Sequence, residues 1–224
     1  ISNADGKLDI GDALLANKTM TDSLAPQQRY MMTNTSGTVQ VVKGAQALFN
    51  SQAQLKGQYE DGIMVRAGGF DWFETTNMPT QPLGTAAFGT AAGYLINGAN
   101  QSGSSIAVDG GTGTILAGQH VTFPNVFAVN GATKVSTGIL QTFVLTADKA
   151  SGAGNLSITP ALVLTGPEQN VTALPADNAA VTILGAATQS GVNLGFAKDF
   201  LTFATVDLPL PENKDASRMT FDGL

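Results

Sequence analysis

An oxygen-rich loop near the start of the chain has the residue spacing of a calcium-binding loop. Asn3, Asp5 and Asp9 fall at loop positions three, five and nine. Asp12 falls at the last ligand position, and Gly6 stands where such loops turn sharply. The first ligand position carries an apolar side chain, and the last ligand is Asp where Glu is usual. We therefore favour a turn followed by a helix cap, with a calcium loop as the alternative.

The single histidine and the absence of cysteine leave little material for a catalytic or metal site. His120 stands in an alternating strand pattern, with no second histidine or thiolate to complete a triad or a zinc site. Residues 110–113 are glycine-rich, but neither a lysine nor a helical pattern follows them. A hairpin turn is favoured over a phosphate loop here. The sequence predicts no cofactor and no metal.

Carboxylates and aromatic residues together raise the possibility of a carbohydrate site. The acidic residues at 60–61, or those within 71–74, could supply the acid and base of a glycosidase, although a sequence does not give their separation. Trp72 and its neighbouring phenylalanines could stack on a sugar. Adjacent acids beside a glycine are typical of a solvated turn, and alternation favours a core role for Trp72. We predict that the protein is not an enzyme.

Composition disfavours several classes of partner. The 224 residues carry a formal net charge of -6 and no run of Lys or Arg, so the chain as a whole repels nucleic acid. No apolar run reaches the roughly 20 residues that a membrane-spanning helix needs. Charged residues make up 12% of the chain, about half the usual share. Such a polar but weakly charged surface suits subunits that pack against copies of themselves.

Charge also divides the chain into three parts. Residues 1–83 hold 14 charged side chains, residues 84–190 hold 6 and residues 191–224 hold 8. In the middle part, turn signals such as Asn97-Gly98 separate short β-like runs. Strands are predicted there at residues 93–96, 105–108, 120–123, 126–129, 141–146, 156–159, 161–165 and 180–184. Many short strands at close spacing indicate a small barrel or sandwich.

The flanking parts mix helical and strand patterns. Asp9 or Asp12 can cap a helix that ends before Pro26. The apolar residues that we expect this helix to direct toward a core are Leu14, Leu15 and Leu24. A second helical pattern contains Val39, Val42, Leu48 and Phe49. Further strands are predicted at residues 29–33, 63–65, 69–75 and 194–206.

Together these patterns predict a β-rich α+β protein. The simplest arrangement is one discontinuous domain, residues 1–83 and 191–224, interrupted by an inserted β domain at residues 84–190. Insertions of this kind are tolerated at exposed loops. Because the chain begins with Ile1 and its first residues already approach a helix, we expect further chain before it.

Short segments in a fixed order carry a family resemblance. In the first part they are GDALLA (11–16), LAP (24–26), LFN (48–50), AGGFDWF (67–73) and NMPT (77–80). The rest of the chain adds GQHVTF (118–123), VFAVN (126–130), LQTFV (140–144), ITPA (158–161), PADNAA (175–180), NLGFAKDF (193–200) and DLPLP (207–211). This collinear series resembles the coat proteins of Salmonella-type short-tailed phages over nearly the whole chain.

The resemblance implies a tailed-phage capsid fold of the Hong Kong 97 type, with an extra β-barrel inserted into its axial domain. It implies a structural subunit of the virion capsid that assembles with copies of itself into pentamers and hexamers. Scaffolding and portal proteins are further implied partners, assembly is expected in the bacterial cytoplasm, and the shell is expected to enclose packaged DNA. Neither a specific nucleic-acid site nor a membrane contact is implied.

A contact with a neighbouring subunit is predicted in residues 97–114. This segment is dense in glycine and serine, and we expect a flexible loop that reaches a neighbour. The predicted contact residues are Asn97, Ser104, Asp109 and Gly111. The alternative function, from another class, is a secreted carbohydrate-binding or adhesion module with a calcium loop at residues 3–12.

Overall fold

The fold was examined in a computed structural model that describes residues 8–45, 66–80, 82–185 and 192–202. The elements in chain order are α1 (Ile10–Asp22), β1 (Arg29–Thr33), α2 (Thr35–Ala45), β2 (Arg66–Ala67), β3 (Phe70–Glu74), β4 (Tyr94–Ile96), β5 (Gly103–Gly110), β6 (His120–Val129), β7 (Ser136–Leu145), β8 (Gly154–Leu162), β9 (Thr182–Leu184) and β10 (Leu194–Ala197). The described chain is therefore β-rich with few helices, as the sequence predicts.

One sheet has four strands in the order β10-β1-β3-β2. Its central strand β1 pairs antiparallel with β10 and parallel with β3. Alternate residues of the central strands point to one face, where Met31, Phe70 and Trp72 are buried. Ala13 of α1 and Val41 of α2 join them in one apolar cluster, so both helices cover this face. We call the two helices and this sheet the sheet unit.

The helix α1 packs with a different face from the one predicted. The core was expected to contain Leu14, Leu15 and Leu24, but their exposed fractions are 54%, 40% and 61%, respectively. Ala13 is buried instead, with Ala16 and Met20 on the same helical face. The backbone of Gly68 approaches this face closely, because a Cβ built on Gly68 would lie only 3.1 Å from the Cβ of Ala13. The close approach of the backbone decides which face packs.

The second helix shows the same kind of difference. Val41 is buried, whereas Val39 is 65% exposed and Val42 is half-buried. Leu48 and Phe49, which the pattern places on the same helix, lie outside the described residues. The predicted helix is confirmed over Thr35–Ala45, but its core residue is Val41.

The second sheet has six antiparallel strands in the order β4-β5-β8-β7-β6-β9. Its two edges meet, because bridges join Leu95 to Ala180 and Gly89 to Ile183. The sheet therefore curls into a small barrel, one of the two architectures that the strand spacing predicts. Its interior is a single cluster that includes Tyr94, Phe123 and Phe143, each with no exposed surface.

Two pairs of predicted strands are single strands in the structure. Residues 120–129 form β6, with a register shift around Pro124 and Asn125, both exposed. Proline cannot donate a ladder hydrogen bond, so a bulge lets the strand continue past it. Residues 154–162 likewise form one strand, β8, through Pro160. A local turn signal therefore marks an irregularity within each strand and not its end.

Candidate functional site

The predicted contact residues lie along one strand and at both of its ends. The exposed Ser104 is near the start of β5, and Asp109 and Gly111 are at its far end. Asn97 follows β4 and donates from its backbone to the carbonyl of Ala107. Ser104 and Asp109 are five residues apart along β5, which is roughly 17 Å in an extended strand. The structure therefore does not bring all four residues into one patch.

The segment at residues 97–114 is not one flexible loop. Residues 103–110 form β5, which pairs with β4 and β8. The preceding turn is held by Gln101, whose Nε2 donates to the carbonyls of Asn97 and Ala107 at 2.8 and 3.0 Å. Its Oε1 accepts from the backbone of Ala107 at 2.6 Å. The prediction of a flexible loop is thus wrong for the strand, and the turn beside it is tied to the barrel.

The far end of β5 is packed against a buried tyrosine. Gly111 has a φ of 81°, and a Cβ there would lie 2.2 Å from the ring of Tyr94. The hydroxyl of Tyr94 donates to the carbonyl of Gly113 at 2.6 Å. Gly111 is required by both its backbone conformation and the ring beside it. Gly111 therefore has a structural role in the barrel.

A buried lysine completes this end of the barrel. The Nζ of Lys149 donates to the carbonyls of Ala150 and Gly152, both at 2.6 Å, and lies 5.3 Å from the centre of the Tyr94 ring. Burial lowers the pKa of Lys149 and raises the pKa of Tyr94. Two carbonyls and an aromatic ring satisfy the ammonium group in place of a carboxylate. No local pattern in the sequence indicates this pair.

Several of the charged side chains in residues 84–190 bind backbone groups. Lys149 is one of them, and Lys134 donates to the carbonyl of Pro167 at 2.6 Å. Asp148 accepts from the backbone of Ala117 at 2.7 Å, and Asp177 accepts from Gly98 at 2.8 Å. The sequence shows that these charges stand in a charge-poor region, but it does not show their partners, because the partners are backbone groups. These groups brace loops of the barrel.

The acidic residues of the calcium-like loop form a helix cap where they are described. Asp9 is the N-cap of α1, and its Oδ1 accepts from the backbone of Asp12 at 2.8 Å. The Asp12 carboxylate accepts in return from the backbone of Asp9 at 3.1 Å, which completes a capping box. The preferred prediction is confirmed for these two residues. Asn3 and Asp5 lie outside the described part of the chain.

No three metal-ligating side chains come together within the described ranges. His120 is half-buried on β6 between Val144 and Leu184, and burial lowers its pKa. Asp71 lies at the surface, 3.7 Å from the guanidinium of Arg66. The acidic pair at residues 60–61 is outside the described residues.

The aromatic cluster belongs mainly to the core. Trp72 is 7% exposed and donates from Nε1 to the carbonyl of Ala67 at 3.0 Å. Phe70 is buried beside it, whereas Phe73 points to the opposite face and is 51% exposed. The core role predicted for Trp72 is confirmed.

Arg29 was also missed by the sequence analysis. It is only 3% exposed, and its guanidinium donates to the carbonyls of Asn17, Ala25 and Pro26 at 2.8 Å each. It donates further to the hydroxyl of Thr21 at 2.8 Å. A cation at the C-terminal end of a helix is favoured by the helix dipole. Arg29 therefore fixes the end of α1 to the start of β1.

Neither helix of the described residues has the length and apolar character to cross a membrane. A family model described as "P22 coat protein - gene protein 5" matches residues 59–222. The chain belongs to this family of bacteriophage coat proteins, and its role is a structural one in the capsid of the virion.

One solved structure in the comparison is the "CUS-3 coat protein I-domain". It is 23% identical to this chain, covers 41% of it and 93% of its own length, and superposes with a TM-score of 0.33. No curated protein matches the chain.

Proposed function

We propose that the protein is a self-assembling shell subunit that forms pentamers and hexamers and encloses packaged DNA. Membership of the coat-protein family over residues 59–222 is the observation that carries this proposal. Symmetric shells repeat many modest interfaces, and a weakly charged surface suits such contacts. Scaffolding and portal proteins are the further partners, and assembly takes place in the bacterial cytoplasm.

The proposal includes a division of the chain into two domains. Residues 1–83 and 191–224 form the axial domain of the Hong Kong 97 type, and residues 84–190 form the inserted barrel. Two observations support this division. The sheet unit and the barrel have separate apolar clusters, and the two chain segments between them lie side by side, since the backbone N–H of Val192 donates to the carbonyl of Pro79 at 2.9 Å.

The first half of β5 is the part of the predicted contact that remains available to a neighbour. Asn97 and Ser104 are exposed, whereas Gly111 packs on Tyr94. Deletion of residues 97–114 would remove a core strand and would not test the contact. A substitution at Ser104 tests it without removing β5.

Assembly can be measured by sedimentation velocity and electron microscopy of the purified chain over a range of concentrations. We expect discrete rings of five or six copies, and a chain that stays monomeric throughout would contradict the proposal. Ser104→Arg should reduce ring formation. Thr142→Arg, on the exposed side of β7, is the matched control and should leave it unchanged.

The alternative of a calcium-dependent adhesion module receives less support. Asp9 and Asp12 already serve as a capping box, and the chain belongs to a coat-protein family. A calcium titration that raises the melting temperature would favour the alternative.

A further inference from the structure

The end of α1 contacts the turn between β6 and β7, more than a hundred residues away in the chain. The Nδ2 of Asn130 donates to the carbonyl of Asp22 at 2.9 Å. The Nζ of Lys18 donates to the carbonyl of Thr137 at 2.9 Å and pairs with the Asp22 carboxylate at 2.8 Å. Two residues from the sheet unit and two from the barrel therefore form one polar contact.

The barrel holds its side of this contact in a fixed shape. The Oδ1 of Asn130 accepts from the backbone of Ala132 and Thr133 at 3.0 and 3.1 Å, which fixes the direction of its Nδ2. Lys134, in the same turn, donates to the carbonyls of Pro167 and Gln169 within the barrel. The donor that meets α1 is thus oriented by the barrel itself.

The end of α1 presents carbonyl groups that can accept hydrogen bonds from outside the helix. The last carbonyls of a helix have no intrahelical donor. The backbone N–H groups of Ser23, Leu24 and Ala25 return to Thr19, Thr21 and Met20. The Asp22 carbonyl is bonded by Asn130. The barrel therefore completes the C-terminal cap of α1.

We propose that Lys18, Asp22, Asn130 and Thr137 form a latch that sets the direction of the barrel relative to the sheet unit. The latch opens without unfolding either part, because the Lys18 and Asp22 side chains are partly exposed, at 49% and 30%, and the two apolar clusters share no residue. The contacts that cross between the two parts are two hydrogen bonds, and each contributes little net free energy. The backbone hydrogen bond from Val192 to the carbonyl of Pro79 joins the two chain segments that connect the sheet unit to the barrel. The inference rests on the proposed division into two domains.

Pulsed electron spin resonance distances between two labels test the latch on the whole chain. The chain has no cysteine, so the replacements Val39→Cys and Thr142→Cys, both at exposed positions, give one label on each part. We expect a narrow distance distribution in the parent chain. The double variant Lys18→Met/Asn130→Asp should broaden it, because the variant loses both donors and places a new carboxylate beside the Asp22 carbonyl.

Lys134→Met is the matched control, since it removes a lysine from the same turn whose bonds stay within the barrel. Its distance distribution should resemble that of the parent chain. Hydrogen exchange of the amides of residues 23–25 gives a second measurement, with roughly a fivefold increase expected in the double variant for the loss of one ordinary hydrogen bond. Trp72 fluorescence should be unchanged, which would show that the sheet unit remains folded.

Identical distributions in the parent chain and the double variant would overturn the latch. A parent distribution that is already broad would overturn it as well. These measurements use the monomeric chain, so a failure of ring assembly would count against the proposed function and leave the latch unaffected.

Discussion

The barrel and the sheet unit bury their apolar residues in different ways. The barrel closes on itself, and the side chains of Phe123 and Phe143 are fully enclosed by its own strands. The sheet unit covers one face of its sheet with two helices. On the opposite face of this sheet, within the described residues, the ring of Tyr30 contacts the rings of Phe73 and Phe196, and the Phe73 side chain is about half exposed. A closed sheet needs no further element to complete its core, whereas a one-sided sheet does.

This difference predicts separate unfolding of the two parts, and the chain carries a natural probe in each. Trp72 is the only tryptophan and lies in the sheet unit. His120 is the only histidine and lies in the barrel. Tryptophan fluorescence and the histidine proton signals in NMR therefore follow the two parts independently.

The largest effect is expected from a cavity in the barrel. Phe143→Ala removes an enclosed ring that lies 5.3 Å from the ring of Phe123. It should lower the free energy of unfolding of the barrel by about 3–5 kcal/mol. Denaturant titration followed by the His120 signal measures this, and Phe73→Ala, at an exposed position, is the control. An equal shift in the Trp72 transition would show that the two parts unfold as one.

A smaller effect is expected at the buried cation of the sheet unit. Arg29→Met removes the guanidinium donors from the carbonyls of Asn17, Ala25 and Pro26 and from the side chains of Asn17 and Thr21, and should cost about 2–4 kcal/mol in the Trp72 transition. Arg66→Met is the matched control, because Arg66 is exposed and its ion pair with Asp71 is long. Equal effects of the two variants would contradict the role assigned to Arg29.

The smallest effect concerns pH and is confined to the barrel. Burial lowers the pKa of His120 in the folded chain below that of an unfolded histidine. The unfolded state therefore binds more protons between the two values, so barrel stability should fall as the pH drops below about 6.5. His120→Gln should remove this part of the pH dependence. An NMR titration that placed the pKa of His120 above 6.5 would reverse the sign and contradict the prediction.

The strands of the barrel could be predicted because each carries its own alternation and turn signals. The boundaries of β1 and the cap of α1 at Asp9 also followed from local chemistry. The packed face of α1 could not be predicted, because it depends on the approach of Gly68 from a distant part of the chain. The same holds for Lys149, whose acceptors are carbonyls that the sequence does not distinguish from any others.

The sequence by itself determined that the chain is β-rich, that a charge-poor segment occupies its middle, and that its segments resemble phage coat proteins. These properties depend on residue types and their order, which are local. Only the tertiary structure decided that the six strands close into a barrel, that the turn before β5 is tied to Ala107 through Gln101, and that the barrel caps α1 through Asn130. Each of these depends on contacts between residues far apart in the chain, and no local pattern encodes such contacts.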